Sequence, residues 1–245
     1  ALASSSVTSN SATVSWTAST SNPANGYQIY YSTSSTAPDA ATIPMATVGA
    51  GITTYNMTGL NANTLYYVWV RSDCGAGDYS TWAGSVSFTT LCAPVTSYPV
   101  NEPFTSYLPS TCWNEGDNGD LTAGPVTISA TASSWIADGF LNVGTTGAAK
   151  VNIDATGDND WIISPEFTIP ATPSYRFTYS VGATQYGATG APTVAWEADD
   201  FVQVLVSTSG YTNWTELKLY GSTNVPSPLG QTDILDLSAY AGQTI

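Results

Sequence analysis

Three runs of this sequence carry most of the groups able to do chemistry: Glu115-Gly116-Asp117-Asn118-Gly119-Asp120, Asp154 to Asp160, and Glu197-Ala198-Asp199-Asp200. Carboxylates set among Asn and Gly turns suit hard divalent cations, and calcium takes about six to eight oxygen ligands. Solvated turn acids are the ordinary alternative. The EF-hand pattern fails, because no Glu stands at the twelfth loop position after Asp117 or Asp158. Paired carboxylates can also hydrolyse glycosides. Asp199 and Asp200, however, are neighbours on a strand and point to opposite faces, and no phrase marks another pair. The chain has no His, which removes His-based triads and dyads and most zinc sites. No nucleophile setting is visible, so a catalytic domain is not expected.

The elements that must position these groups are strands. Tyr66-Tyr67-Val68-Trp69-Val70-Arg71 alternates, with Tyr66, Val68 and Val70 on one side and Tyr67, Trp69 and Arg71 on the other. Leu60 and Thr64 precede Tyr66 with the spacing of a tyrosine corner, in which the ring packs in the core and the hydroxyl meets nearby backbone. Ala12 to Trp16 predicts a strand with Val14 and Trp16 inward. Gly26 to Tyr31 predicts another, with Tyr27, Ile29 and Tyr31 inward, after the turn Asn22-Pro23-Ala24-Asn25. Further strands are expected near Ile52 to Met57 and at Val86 to Thr89. The outward Tyr30, Tyr67 and Trp69 could form a flat strip able to stack on sugar rings; cross-strand aromatic pairing is the commoner reason for such a strip.

Trp16, the Gly-Tyr-x-Ile-x-Tyr strand and the Leu60 to Tyr66 corner together resemble a fibronectin type III domain, covering residues 1–91. In such a sandwich Cys74 and Cys92 lie near opposite ends of a strand pair, roughly 20 Å apart by strand rise. A disulfide needs Cα atoms within about 7 Å. Cys74–Cys92 is therefore rejected. Cys92 with Cys112 would staple the start of a second domain and is the favoured bridge. Cys74 is left either as a free buried thiol or as the partner of a Cys preceding Ala1.

From Cys92-Ala93-Pro94 onward a second unit is expected, residues 92–245. Strand-like runs occur at Pro125 to Ser129, Ser134 to Leu141, Ala149 to Ile153, Trp161 to Ser164, Tyr175 to Val181, Phe201 to Thr208 and Trp214 to Tyr220. In Tyr175 to Val181 the odd positions are apolar. No segment sustains a 3.6-residue apolar period, so almost no helix is expected. The fold class is all-β: an immunoglobulin-like β-sandwich followed by a jelly-roll β-sandwich. The ordered phrases Pro103-Phe104, Pro109-Ser110-Thr111-Cys112-Trp113, Asp158-Asn159-Asp160-Trp161-Ile162-Ile163-Ser164-Pro165, Tyr175-Arg176-Phe177-Thr178-Tyr179, Asp200 to Thr208 and Asn213-Trp214-Thr215-Glu216-Leu217 resemble the MAM-like jelly rolls of bacterial surface proteins. These are known as cleaved-adhesin or choice-of-anchor domains. The resemblance implies a structural calcium, held by Glu102, by Asp117 or Asp120, and by Asp200. It also implies that the strand opened by Gly242-Gln243-Thr244-Ile245 continues, so that the chain is an excerpt of something longer.

Composition narrows the partners. The 245 residues include eighteen acids and four bases, for a net charge of −14. Three acids and one base precede Cys92; fifteen acids and three bases follow. Nothing could neutralise a run of phosphates, so nucleic acid is excluded, and docking on anionic membrane is disfavoured. No apolar run approaches the roughly 20 residues of a membrane helix. Asn56-Met57-Thr58 and Asn213-Trp214-Thr215 are glycosylation sequons, meaningful in a eukaryotic secretory pathway. The resemblances imply a non-catalytic segment of a secreted, cell-surface adhesin or filament, exported by the type IX route and acting in adhesion or gliding. Its partners would be neighbouring domains of the same long chain and surface glycans or other surface proteins. The alternative is a carbohydrate-binding accessory of a secreted hydrolase.

Overall fold

Strict alternation builds the first sheet. In Ser11–Trp16 every second side chain, Ala12, Val14 and Trp16, is buried, as a strand with one apolar face requires. The computed structural model describes residues 1–108, 110–129, 131–153 and 159–245. These divide into two compact units, Ala1–Ala93 and Pro94–Ile245.

The first unit is an antiparallel sandwich. One sheet has the order β1 (Leu2–Ser5), β2 (Ser11–Trp16), β5 (Thr54–Thr58). The other runs β4 (Ala46–Val48), β3 (Gly26–Ser32), β6 (Leu65–Gly75), β7 (Asp78–Tyr79), with β8 (Val86–Thr89) also paired to β6. Val14 and Met57 from the first sheet meet Ile29, Tyr66, Val68, Val70 and Phe88 from the second in one core. Each fully buried aliphatic side chain contributes about 1.5–3 kcal/mol. The tyrosine corner is present: the Asn61 amide donates to the Tyr66 hydroxyl at 3.0 Å. The buried Thr90 hydroxyl ties the same corner, donating to the Asn61 carbonyl at 2.6 Å and accepting from the Thr64 amide at 2.9 Å. Gly26 opens β3 with φ +88°, and a Cβ there would lie 2.1 Å from the Val48 carbonyl oxygen. Only glycine fits that approach.

The regular elements of the second unit are also strands, apart from single 3₁₀ turns at Phe140–Asn142 and Ser238–Tyr240 among the described residues. β9 (Asn114–Asp117) is central between β10 (Thr127–Ser129) and β13 (Asp160–Ile163). β11 (Ile136–Asp138) pairs with β12 (Ala148–Lys150), and β14 (Arg176–Val181) pairs with β17 (Gln231–Asp236). β15 (Val202–Val206) and β16 (Thr215–Tyr220) form a hairpin. That hairpin lies within the chain between β14 and β17. Their register continues outward through a Thr168–Thr244 bridge, with Phe167 and Ile245 exchanging amide hydrogen bonds. A hairpin nested inside a wider antiparallel pair is the building plan of jelly rolls. Here the described strands are arranged as four small sheets.

Four strands escape sequence reading: the short β4 and β7, and β9 and β17. β9 is Asn-Glu-Gly-Asp, which has turn composition; it is strand because its neighbours on both sides pair with it. β17, Gln-Thr-Asp-Ile-Leu-Asp, half-buries Gln231, Asp233 and Leu235, so its inner face is largely polar. Phe177 also departs from expectation. It stacks on Tyr179 at 5.0 Å, yet 44% of it is exposed.

Replacing Tyr66 with Phe removes the hydroxyl at the corner and should lower the unfolding free energy of the first unit by about 1 kcal/mol. Gly26→Ala should cost more than this, because the clash is with backbone. Urea unfolding followed by tryptophan fluorescence measures both.

Candidate functional site

The strand β6 is covered on both faces. Its inner residues enter the core; its outer residues Tyr67, Trp69 and Arg71 face outward beside Gln28 and Tyr30 of β3, in the register Tyr30–Trp69 and Gln28–Arg71. Tyr30 packs on Trp69 with ring centroids 5.9 Å apart, and Tyr67 stacks on Trp69 at 6.2 Å. Trp82 closes over Tyr30 at 6.1 Å.

Arg71 is the centre of this face and is only 5% exposed. Its guanidinium carbon lies 4.4 Å from the ring centroid of Tyr79 and 4.4 Å from that of Trp82. Nε donates to Gln28 Oε1 at 2.8 Å, and Nη1 donates to the Ala40 carbonyl at 3.0 Å. Gln28 Nε2 then donates to Asp73 Oδ2 at 3.1 Å, and Asn25 Nδ2 donates to Asp73 Oδ1 at 3.2 Å. Among the described residues no carboxylate forms an ion pair with Arg71. Asp73 answers its charge through one intervening amide. Trp82 Nε1 donates to the Asp39 carbonyl at 2.9 Å, and the Ala83 amide donates to the Val70 carbonyl at 2.8 Å. The segment after β7 and the loop before β4 are thereby held onto the sheet.

This arrangement takes Trp69 out of the expected sugar-stacking strip. Trp69 is 3% exposed, so it presents no ring face to a ligand, while Tyr30 and Tyr67 are half-buried around it. The three rings pack on one another and on Trp82, and the guanidinium takes up Tyr79 and Trp82. Sequence reading places Arg71 outward correctly but misses Gln28, Tyr79 and Trp82 as its partners. The available signal is Tyr79 and Trp82 flanking Ser80-Thr81 directly after the strand.

Three of the four acids expected to bind calcium cap their own loops. Glu102 Oε1 accepts from the Phe104 amide at 2.7 Å, and Asp200 Oδ2 from the Glu197 amide at 2.7 Å. Asp120 Oδ1 accepts from the Thr122 and Ala123 amides at 2.7 and 2.8 Å, which holds its carboxyl below the usual range. Asp117 lies in β9, opposite Asp160 of β13. Among the described residues no three His, Cys, Asp or Glu side chains gather as a metal set, so these four do not form one ligand cluster. Asp154 and Asp158, in the middle acidic run, lie outside the described residues.

Three other polar nodes were not anticipated. Glu115, 2% exposed at the centre of β9, accepts from the Tyr107 hydroxyl and from the Ser133 amide at 3.0 Å. Burial and the bond to Glu115 push the Tyr107 hydroxyl far up. Tyr220 donates to Asp233 and meets the Tyr179 hydroxyl at 2.7 Å, with Lys218 3.6 Å from the same carboxylate. Lys150 pairs with Asp138 and donates to Asn142 Oδ1 at 3.1 Å. The Lys150 hydrogen bond, foremost, holds the Asp138 carboxyl below its ordinary value.

Cys92 and Cys112 are disulfide-bonded. Cys74 is a free thiol and is exposed rather than buried.

A family model described as "Fibronectin type III domain" matches residues 1–89. Over 201 residues, 79% of this chain, the sequence is 29% identical to Endoglucanase B of Cellulomonas fimi; the match spans 15% of that protein's length. Among solved structures, a computationally redesigned β-sandwich protein matches with a TM-score of 0.30 and 23% identity, over 38% of this chain and 92% of its own. The FN1–FN3 domains of chicken CNTN1 match with a TM-score of 0.31 and 22% identity, over 37% of this chain and 29% of theirs.

Arg71→Lys should destabilise the first unit nearly as much as Arg71→Ala, by about 2–4 kcal/mol, because an ammonium cannot stack between two rings and reach both acceptors. Calorimetry of both variants decides this. The folded Asp138 carboxyl titrates below its unfolded value. Its contribution is therefore complete above about pH 4 and is lost as pH falls through the folded value. Lys150→Met should flatten the stability curve in that acid window, read by melting temperature against pH.

Proposed function

We propose that this chain is a non-catalytic segment of a larger secreted protein, with a fibronectin type III unit serving as a stiff spacer for a MAM-like second unit. The observation that carries the reading is the occupied outer face of β3 and β6. Its aromatic rings, its guanidinium and two flanking loops are bound to one another, leaving a rigid body rather than a ligand platform. The Cys92–Cys112 disulfide supports an oxidising, extracellular setting. In this reading the parent is a cell-surface adhesin or filament of the type IX-exported, gliding-associated kind, and the second unit presents the contact surface to glycans or proteins.

The similarity to Endoglucanase B favours a second reading, in which the segment is an accessory of a secreted hydrolase. Binding to insoluble cellulose and to a glycan array separates the two. The spacer reading expects no polysaccharide retained by the first unit, and no change on Tyr67→Ala. Retention of one polysaccharide that Tyr67→Ala or Trp82→Ala abolishes would sink it.

A calcium ion in the second unit belongs to the same proposal, supported by fifteen acids against three bases there. Backbone carbonyls would have to supply much of the oxygen set. Addition of calcium should raise the melting temperature, and chelator should reverse the rise. A melting temperature indifferent to both refutes it.

A further inference from the structure

The chain contains two Asn-Gly pairs, Asn25-Gly26 and Asn118-Gly119. Asparagine is a chemically labile residue, and a following glycine leaves its own backbone nitrogen sterically open to attack the Asn side chain. The fold treats the two pairs in opposite ways.

Asn25 is locked. Its Nδ2 donates to Asp73 Oδ1 at 3.2 Å, its amide donates to the Asp73 carbonyl at 3.0 Å, and the Gly26 amide donates to the Pro23 carbonyl at 3.1 Å. Both reacting groups, the carboxamide and the next backbone nitrogen, are engaged. Asn118 is exposed. The chain around it is anchored by its amide to the Asn159 carbonyl at 2.9 Å, by Trp161 Nε1 to its own carbonyl at 2.9 Å, and by Asn159 Nδ2 to the Gly119 carbonyl at 3.0 Å. Yet among the described residues its carboxamide and the Gly119 amide have no hydrogen-bond partner. The anchors hold everything except the two groups that react.

We propose that Asn118 is a site of spontaneous deamidation and backbone isomerisation, a chemical-ageing site in the first acidic loop of the second unit. The Gly119 backbone nitrogen, once deprotonated, bonds to Asn118 Cγ. The Cγ–Nδ2 bond breaks and ammonia leaves with the proton, closing a succinimide. Water then opens the ring at either carbonyl, giving aspartate or isoaspartate. Substitution at 119 offers no escape: φ there is +90°, and a Cβ would lie 2.0 Å from the Gly124 carbonyl oxygen. The fold that requires glycine in this turn thereby maintains the labile pair. Isoaspartate lengthens the main chain by one methylene and displaces the carbonyl that receives Trp161 Nε1, whose ring packs on Trp214 at 5.5 Å.

The test is incubation of the full chain at mildly alkaline pH and 37 °C, native and in urea, followed by peptide mapping with isoaspartate detection. In urea both asparagines should convert at similar rates. In the native chain Asn118 should convert about tenfold or more faster than Asn25, whose reaction must first break two hydrogen bonds. Asn118→Gln should abolish the native signal. Aged protein should lose near-ultraviolet tryptophan signal that Asn118→Asp, with an unaltered main chain, retains. Equal or reversed native rates, or a silent Asn118 while the urea control converts, overturn the proposal.

Discussion

A guanidinium can leave water only where its charge and its donors are answered, and the outer half of the first unit is organised to meet that condition for Arg71. Two ring faces, an amide oxygen and a carbonyl surround it, and Asp73 supplies the counter-charge one hydrogen bond further on. The two rings, the amide and the carbonyl come from different parts of the chain: β7, the segment after it, β3 and the loop before β4. Burying one cation therefore ties β7, the segment after it and the loop before β4 to the sheet, although none of these three contributes to the apolar core. Desolvation makes such a site costly if one partner is missing, so the loops are coupled to the sheet more tightly than their polar composition suggests.

The second unit uses the same logic with the opposite sign. Its excess acid is not simply spread on the surface. Glu115 lies buried at the centre of a three-stranded sheet, held by a phenol and a backbone amide. Asp233 holds the hydroxyl of the buried Tyr220. Few of its large apolar side chains are fully buried, Ile163, Ile169, Val206, Tyr220 and Leu237 among them. Hydrogen-bonded carboxylates take over part of the ordering that apolar packing does in the first unit. Fully satisfied networks of this kind specify geometry well, and partly satisfied ones are expensive.

The difference in chemistry explains what the sequence disclosed. Alternation is visible where one face is apolar, so Ala12 to Trp16, Gly26 to Tyr31, Tyr66 to Arg71 and Val86 to Thr89 are readable, as is the corner at Tyr66. β9 is invisible because Asn-Glu-Gly-Asp has the composition of a turn, and its strand state comes from pairing on both sides. β17 is hidden by acids at alternate positions on either face. The outer strip of Tyr30, Tyr67 and Trp69 falls on the expected face, but its burial is not legible. The covering groups, Tyr79 and Trp82, come from a segment with little regular structure, and periodicity says nothing about where such a segment folds back. Strand length makes the exclusion of Cys74–Cys92 legible, while the choice of Cys112 rests on its place at the start of the second unit.

A binding surface needs groups whose hydrogen-bonding or stacking capacity is unspent in the free protein. In the first unit the aromatic strip, Gln28, Asp73 and Arg71 are spent internally, and Thr90 and Tyr66 close the corner at the far end of β6. Both units keep large apolar side chains exposed, Ile43, Met45, Ile52 and Leu91 in the first and Phe177, Phe201, Tyr186, Leu229 and Ile234 in the second, and in the second single Asp and Glu side chains fold back onto their own loops. What separates the units is the state of their polar and aromatic groups: the outer face of β3 and β6 is committed to internal contacts around Arg71, whereas the exposed apolar side chains of both units belong to other segments.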